Sequence, residues 1–202
     1  MITAWNTIVA TVLVGLCSVA CLSSPARQGS QRASLDGARA LLDQYRVSES
    51  YEAFAAHGTD AVDYIVALIR LETYYDARAQ FLSGFLVKIP GREIDAALIQ
   101  LLNDPSGRIR GSIAGVLGAR RSRDAVPALI GALSDLEETG LVLVSAHEPT
   151  ETPVLVRDEA VRALQNITDH TLGSNGTGEG KAEAWRSWWV TNASTWDLGQ
   201  PK

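Results

Sequence analysis

The chain has 202 residues and a mass of 21.7 kDa, with 46% hydrophobic and 20% charged residues, a composition that fits one compact domain or a short repeat array and excludes an intrinsically disordered chain. Lys and Arg number 18 against 23 Asp and Glu, and the formal net charge of -5 argues against general attraction to nucleic acid. Both cysteines, Cys17 and Cys21, lie in the first apolar stretch, so no disulfide or cysteine metal site is expected further along the chain.

The amino-terminal segment predicts export. Residues 8–20 are apolar and uncharged, which is typical of a secretory signal peptide and shorter than the roughly 20 residues of a membrane-spanning helix. Small residues at Ser18 and Ala20 favour cleavage after Ala20, so residues 1–20 are predicted to be a signal peptide. The stretch from Ser18 to Cys21 resembles the lipobox of bacterial lipoproteins. This resemblance implies lipidation of Cys21 and membrane attachment through the lipid.

Two departures from the lipoprotein pattern leave alternatives open. Ser18 stands where lipoboxes usually carry Leu, and the first seven residues contain no Lys or Arg. An ordinary cleaved signal and an uncleaved apolar anchor are the alternatives. All three predict a place in the cell envelope outside the cytoplasm, membrane-anchored or periplasmic.

Residues 21–34 are predicted to form a flexible tether, because Ser23–Ser34 is rich in Ser, Gln, Arg, Gly and Pro and has almost no bulky apolar residue. The folded domain is expected to span residues 35–202.

The body of the domain predicts repeated helices. Apolar residues recur at helical spacing between residues 35 and 136, and no strand-like alternation is present there. The segment 95–104 recurs in 124–135, where Leu98 and Leu102 return as Leu129 and Leu133, 31 residues later. Residues 109–117 similarly match residues 156–164. Two helices per period predict a solenoid.

These repeats resemble the HEAT repeat family, including its short bacterial form, over residues 60–169. The family's turn aspartate matches Asp104 and Asp135, and its arginine early in the following helix matches Arg110 and Arg157. The resemblance implies an all-α fold, a right-handed α-solenoid of about four HEAT-like helical hairpins. Each aspartate is expected to bond the arginine or the free amides of a neighbouring turn, a structural role.

Residues 137–153 form an insertion where the family has a tight turn. β-Branched residues in 141–144 and 154–156, with turn formers between them, predict a loop or short hairpin leaving the solenoid. Insertions on a repeat scaffold often carry function, and a neutral surface excursion is the alternative.

The chain closes with a glycine-rich loop and a helix whose Trp185, Trp188 and Trp189 share one face. This ending resembles the tryptophan-rich closing segment of many bacterial HEAT-repeat proteins. It predicts a capping helix within residues 181–198 that covers the last apolar face of the stack. An exposed aromatic surface for a peptide or glycan is the alternative.

Catalytic chemistry has little support in the sequence. His57, His147 and His170 lie in or beside turns without metal-ligand spacing, so we expect no metal and no cofactor. His147 and Glu148 in the insertion are the one adjacent acid–base pair, and they carry the alternative that the protein is a lyase- or hydrolase-like enzyme.

One cluster of basic residues is a weak binding candidate. It is called the arginine cluster below and consists of Arg108, Arg110, Arg120, Arg121 and Arg123. It could contact an acidic protein or an anionic lipid headgroup, whereas nucleic acid is not expected because the arginines come from one repeat. Internal pairing with Asp104 and Asp124 is the alternative.

The expected function is therefore that of a non-enzymatic protein–protein interaction scaffold, exported and lipid-anchored to a bacterial membrane. An extended solenoid surface suits recognition of another protein, and the arginine cluster suggests that this partner is acidic. No small-molecule substrate is evident.

Overall fold

The computed structural model describes residues 25–71, 77–144, 151–172 and 178–195. The helices in these ranges are α1 (Pro25–Asp43), α2 (Val47–Ala55), α3 (Thr59–Leu71), α4 (Ala77–Lys88), α5 (Arg92–Gln100), α6 (Gly107–Ala119), α7 (Val126–Ala132), α8 (Val156–Thr168) and α9 (Gly178–Asn192). Short 3-10 turns follow α5 and α9 and precede α7. Two strands, β1 (Glu138–Val144) and β2 (Glu151–Leu155), lie between α7 and α8.

From α2 onward the helices alternate between two layers, and across the layers α3 packs on α4, α5 on α6, α7 on α8 and α8 on α9. The helices of the first layer contact one another in the order α2, α4, α6 and α8. In the second layer α3 contacts α5, α5 contacts the 3-10 turn before α7, and α7 contacts α9. This arrangement confirms the predicted all-α solenoid of HEAT-like helical hairpins.

The core follows the sequence repeat. Ile65, Leu98 and Leu129 occupy equivalent positions in α3, α5 and α7, and all three are fully buried. Burying an aliphatic side chain of this size stabilises a fold by about 1.5–3 kcal/mol. The positions that recur in the sequence are therefore the ones that hold the second layer together.

Helix α6 approaches α8 and the hairpin closely because it carries glycines on that face. A Cβ added at Gly118 would lie 2.7 Å from the Cα of Ala163, and one added at Gly111 would lie 2.3 Å from the Cγ2 of Thr139. Neither distance is possible for a real side chain, so glycine is required at both positions.

Helix α1 corrects the expected conformation of the tether. The helix begins at Pro25, ten residues before the predicted start of the folded domain, and proline is well tolerated at a helix start because it has no amide hydrogen to leave unpaired there. From Gln28 to Ser34 all side chains are exposed except the partly buried Gln31. The polar composition of this segment correctly indicates that its side chains are not buried. An exposed segment can still be helical, however. The division into tether and domain stays a prediction.

The insertion is a β-hairpin, as the sequence predicts. β1 and β2 pair antiparallel, with Val142 opposite Pro153 and Val144 opposite Glu151. The register is irregular between Glu138 and Val142, where Gly140 has a φ of 80°. Glycine adopts this left-handed conformation without the penalty of a side chain.

Candidate interaction surface

Arg120 of the arginine cluster is used inside the stack. Its side chain is 8% exposed, and its Nε lies 2.5 Å from Oδ1 of Asp95 in α5. Its guanidinium also donates, at 2.6–3.2 Å, to the main-chain oxygens of Leu86, Val87, Ile89 and Gly91. These oxygens lie at the end of α4 and in the turn to α5, where carbonyls have no partner within the helix. Arg120 therefore joins α5 and the end of α4 to the end of α6.

Arg110 is likewise engaged, in the first turn of α6. Its Nε lies 2.6 Å from Oδ2 of Asp135, and its Nη2 lies 2.5 Å from Oε2 of Glu137. Its Nη1 donates to the main-chain oxygen of Asp104 at 2.6 Å. One guanidinium thus connects the turn before α6 to the turn after α7.

The electrostatics of this network keep its acids ionised. Burial is the largest single influence on Asp135 and raises its pKa, but the hydrogen bonds from Arg110 and from the Glu137 amide outweigh burial, so the pKa lies below its usual value. The hydrogen bond from Arg110 is the main cause that lowers the pKa of Glu137. The Arg110 network therefore retains its charges well below neutral pH.

The turn before α6 is held to α3 by a second set of bonds. The carboxylate of Asp104 is 4% exposed, bonds Arg70 and accepts the amide hydrogen of Ser106 at 2.9 Å. Arg108 donates to the main-chain oxygen of Ile69, at the end of α3, at 2.7 Å. The two turn aspartates thus each bond an arginine from the preceding part of the stack.

The remaining members of the cluster lie elsewhere. Arg121 is 62% exposed, and its Nη2 lies 2.5 Å from Oδ1 of Asp169. Arg123 is partly buried in the 3-10 turn before α7. Arg110 lies in the first turn of α6 and Arg120 directly after its last residue, a separation of about 15 Å along the helix axis. The cluster does not form one basic surface.

The predicted pairing of the cluster with Asp104 and Asp124 differs from the bonds that form. Arg110 reaches the main-chain oxygen of Asp104, while the carboxylate of Asp104 bonds Arg70. Asp124 lies 3.8 Å from Arg92, outside the cluster. The carboxylates that Arg110, Arg120 and Arg121 bond among the described residues are those of Asp95, Asp135, Glu137 and Asp169.

Arg157 stands at the position of Arg110 one repeat later, but its surroundings differ. Its side chain is 15% exposed, and within the described ranges its Nε has no hydrogen-bond partner. The carboxylate that it approaches, Asp158, is 3.9 Å away. If Leu129 and Leu133 are matched with Trp185 and Trp189, the position of Asp135 falls on Thr191.

The base of the inserted hairpin is fixed to the Arg110 network. The amide of Val156 donates to the main-chain oxygen of Glu137, and the amide of Arg157 donates to that of Asp135, both at 3.0 Å. Thr139 is buried, donates from its hydroxyl to the oxygen of Val154 at 2.9 Å, and packs on Gly111. Both ends of the hairpin are therefore held by the stack.

Glu159 is a buried acid that the sequence analysis missed. Its side chain is 7% exposed on α8, and its Oε2 lies 3.6 Å from where a Cβ of Gly115 would be. Burial raises the pKa of Glu159, while Arg162, which donates to both carboxylate oxygens at 2.8 and 2.9 Å, opposes the rise. The available clue was its place three residues after Val156 and four before Ala163, on an apolar face.

The tryptophan helix covers the end of the core. Trp185 is fully buried, and Trp188 and Trp189 are partly buried against the same core. The ring centroids of Trp185 and Trp188 are 5.4 Å apart in an edge-to-face arrangement. His170 meets the ring of Trp188 edge-on at 6.0 Å. This confirms the capping helix of the predicted fold.

The other predicted site residues contribute no described geometry. His147 and Glu148, between β1 and β2 in the sequence, and Cys21 lie outside the described residues. His57 is partly buried beside the turn at Gly58. In the parts of the chain that the structure describes, no three His, Cys, Asp or Glu residues are grouped to hold a metal, and no helix is long and apolar enough to cross a bilayer.

Comparison with known proteins gives a similar solved structure but no matching family. No family model matches the chain, and no curated protein matches it. A solved structure that is similar is the complex of CpcE and CpcF of phycocyanin lyase from Nostoc sp. PCC7120, at 20% sequence identity and a TM-score of 0.39. The similarity covers 80% of this chain and 68% of that one. A likeness at this level does not transfer a function.

Proposed function

We propose that this protein is a non-enzymatic scaffold that binds another protein through its inserted hairpin, with the helical stack as a rigid support. The observation that carries the proposal is the attachment of the hairpin: Glu137 and Val156 are bonded to each other at its base, and Thr139 is buried against α6. An insertion with both ends fixed presents its strands in a defined place, and insertions on rigid scaffolds often bind.

The arginines support this choice because most of their hydrogen-bonding capacity is used inside the stack. Arg110 and Arg120 each bond carboxylates and main-chain oxygens of neighbouring turns. By contrast, residues 137–155 contain four glutamates and no Lys or Arg. The charge of the hairpin therefore favours a basic partner surface over the acidic one that the arginine cluster suggested.

Export and lipid anchoring through Cys21 remain part of the proposal. They rest on the apolar stretch 8–20 and on the resemblance of the residues from Ser18 to Cys21 to a lipobox. The test is the mass of the amino-terminal peptide of protein recovered from membrane and soluble fractions. A diacylated peptide beginning at Cys21 supports the anchor, and an unmodified soluble chain beginning at Met1 contradicts export.

The binding role is tested by site-specific photocrosslinking in the native cell. A photoreactive amino acid is placed at Val144 in the hairpin or, as the matched control, at the exposed Ala96 in α5. We expect the Val144 position to capture a defined protein that the Ala96 position does not capture. Equal capture from both positions, or capture from Ala96 alone, would contradict a hairpin-centred interface.

The same assay separates the scaffold from the enzyme alternative. The double substitution His147→Ala and Glu148→Ala removes the acid–base pair but keeps both strands. The scaffold proposal expects capture from Val144 to persist and the captured protein to be chemically unchanged by wild-type protein. A covalent change in the captured protein that the double variant abolishes would favour the enzyme.

A further inference from the structure

We propose that the outer edge of β1 binds an extended, basic segment of the partner protein as a third strand of the hairpin sheet. This inference rests on the proposed function, because it specifies how the hairpin makes its contact. The structural basis is the difference between the two outer edges of the β1–β2 sheet.

Pro153 decides which edge is open. Proline has no amide hydrogen, so within a sheet it is tolerated where its nitrogen faces away from the neighbouring strand. Pro153 lies opposite Val142 in the antiparallel register. Its nitrogen therefore faces outward from β2, which removes a donor from that outer edge and blocks the addition of a strand there.

The same register leaves β1 able to pair. In an antiparallel ladder, two residues opposite each other both turn their backbone groups inward or both turn them outward, in alternation. Because Pro153 faces outward, the N–H and C=O groups of Val142 also face outward, and so do those of Val144 two residues later. Within the described residues the sheet has β1 and β2 as its strands, and none of these residues pairs with the outer edge of β1.

The composition of β1 suits strand addition. Residues 141–144 are Leu, Val, Leu and Val, which have high strand propensity and no charge to discourage pairing. A two-stranded sheet is marginally stable, and a third strand adds a ladder of main-chain hydrogen bonds. An extended peptide bound in this way gains affinity from the backbone and specificity from alternate side chains.

The negative charge of the hairpin indicates which kind of segment pairs with β1. Residues 137–155 carry Glu137, Glu138, Glu148 and Glu151 and no Lys or Arg, and because Glu137 is already paired with Arg110, the acidic charge available to a partner comes from the other three glutamates. A second copy of the chain would bring two acidic hairpins together, whereas a segment carrying Lys or Arg would be attracted. The geometry and the charge together favour a basic partner segment over self-pairing.

The test uses the full chain and two six-residue probe peptides, one of alternating lysine and valine and the other of alternating glutamate and valine. Affinity is measured by fluorescence anisotropy, and hydrogen exchange of the protein amides is followed by NMR. We expect the lysine peptide to bind at least about tenfold more tightly than the glutamate peptide. We also expect it to slow exchange at the amides of Val142 and Val144.

The main-chain hydrogen bonds can be removed from the protein or from the peptide. In the protein, Val142→Pro deletes an outward amide that β2 does not use, and Val142→Thr is the matched control that keeps the amide. The lysine peptide is expected to bind Val142→Pro at least about tenfold more weakly than wild type, and Val142→Thr within about twofold. A lysine peptide N-methylated on alternate residues should lose affinity for the wild-type chain, which tests the bonds without altering the protein.

Several results would overturn the inference. These are equal binding of the two peptides, undiminished binding of the N-methylated peptide, or exchange protection confined to other amides. A concentration-dependent doubling of mass that Val142→Pro abolishes would show self-pairing instead. If the peptides do not bind while Val144 still captures its partner, strand addition fails and the scaffold function stands. If capture also fails, both proposals fall.

Discussion

Arg110 and Arg157 occupy the same position in successive repeats, yet among the described residues Arg110 bonds two carboxylates closely and Arg157 approaches one carboxylate at 3.9 Å. Arg110 bonds Asp135, Glu137 and the main chain at Asp104, whereas the Nε of Arg157 has no hydrogen-bond partner in the described part of the chain. The difference arises because each arginine depends on the turn that comes after it. A repeat therefore fixes where the arginine lies, and the following repeat decides whether it stabilises the stack.

Among the arginines of the stack, we expect Arg120 to contribute most to the free energy of unfolding. Replacing Arg120 by Met leaves the carboxylate of Asp95 and the main-chain oxygens at the end of α4 without their hydrogen-bond donor. We expect the free energy of unfolding in urea to fall by about 3–5 kcal/mol. Arg120→Lys should recover little of this loss, because one ammonium cannot span the carboxylate and the separate carbonyls. A loss under about 1 kcal/mol would show that water replaces these bonds.

The comparison itself is tested by making the same substitution at both positions. Arg110→Met should lower the free energy of unfolding by about 2–3 kcal/mol, because it leaves the partly buried Asp135 without its charged partner. Arg157→Met should change it by less than about 0.5 kcal/mol, because within the described residues its Nε gives up only a 3.9 Å ion pair with Asp158. If both substitutions lower the free energy of unfolding in urea equally, the two arginines do not differ in their contribution to stability.

A partner can also be supplied to Arg157. Thr191 is exposed, and it aligns with Asp135 when Leu129 and Leu133 are matched with Trp185 and Trp189. We expect Thr191→Asp to raise the free energy of unfolding by about 0.5–1 kcal/mol, and to have no such effect when Arg157 is already replaced by Met. A double-mutant cycle measures the coupling, and zero coupling would mean that the two side chains do not meet.

The smallest effect concerns pH, where Asp135 and Glu159 have opposite signs. The lowered pKa of Asp135 contributes stability above its usual pKa, which is lost as the pH falls through the lowered value. The raised pKa of Glu159 contributes stability below its usual pKa of 4.5, which is lost as the pH rises through the raised value.

Glu159→Gln should therefore unfold at a higher urea concentration than wild type at pH 7, by less than about 1 kcal/mol in free energy, and match wild type near pH 3.5. At pH 7 the variant also loses the ion pair with Arg162, but the Arg162 side chain is half exposed, so this loss is small beside the removed burial penalty. A variant that is less stable than wild type at pH 7 would contradict the burial penalty.

The sequence predicts the parts of the molecule that depend on local pattern. Ile65, Leu98 and Leu129 repeat at helical spacing and are buried as the repeat requires, and the β-branched segments around the turn formers form the hairpin. The tether predicted over residues 21–34 is helical from Pro25, because composition reports burial and not backbone conformation.

Contacts between distant segments could not be predicted. The carbonyl partners of Arg120 exist because the end of α6 meets the end of α4, which no spacing in the sequence encodes. The pairing of Arg70 with Asp104 and the burial of Glu159 depend in the same way on how closely the helices pack.

The closed base of the hairpin has a practical consequence. Because the main-chain bond between Glu137 and Val156 fixes the distance between the two ends, the residues from 141 to 153 can be exchanged without moving the helices. Evolution can then vary recognition while the support is inherited intact. The same feature makes the stack a frame into which other hairpins could be grafted as engineered binders.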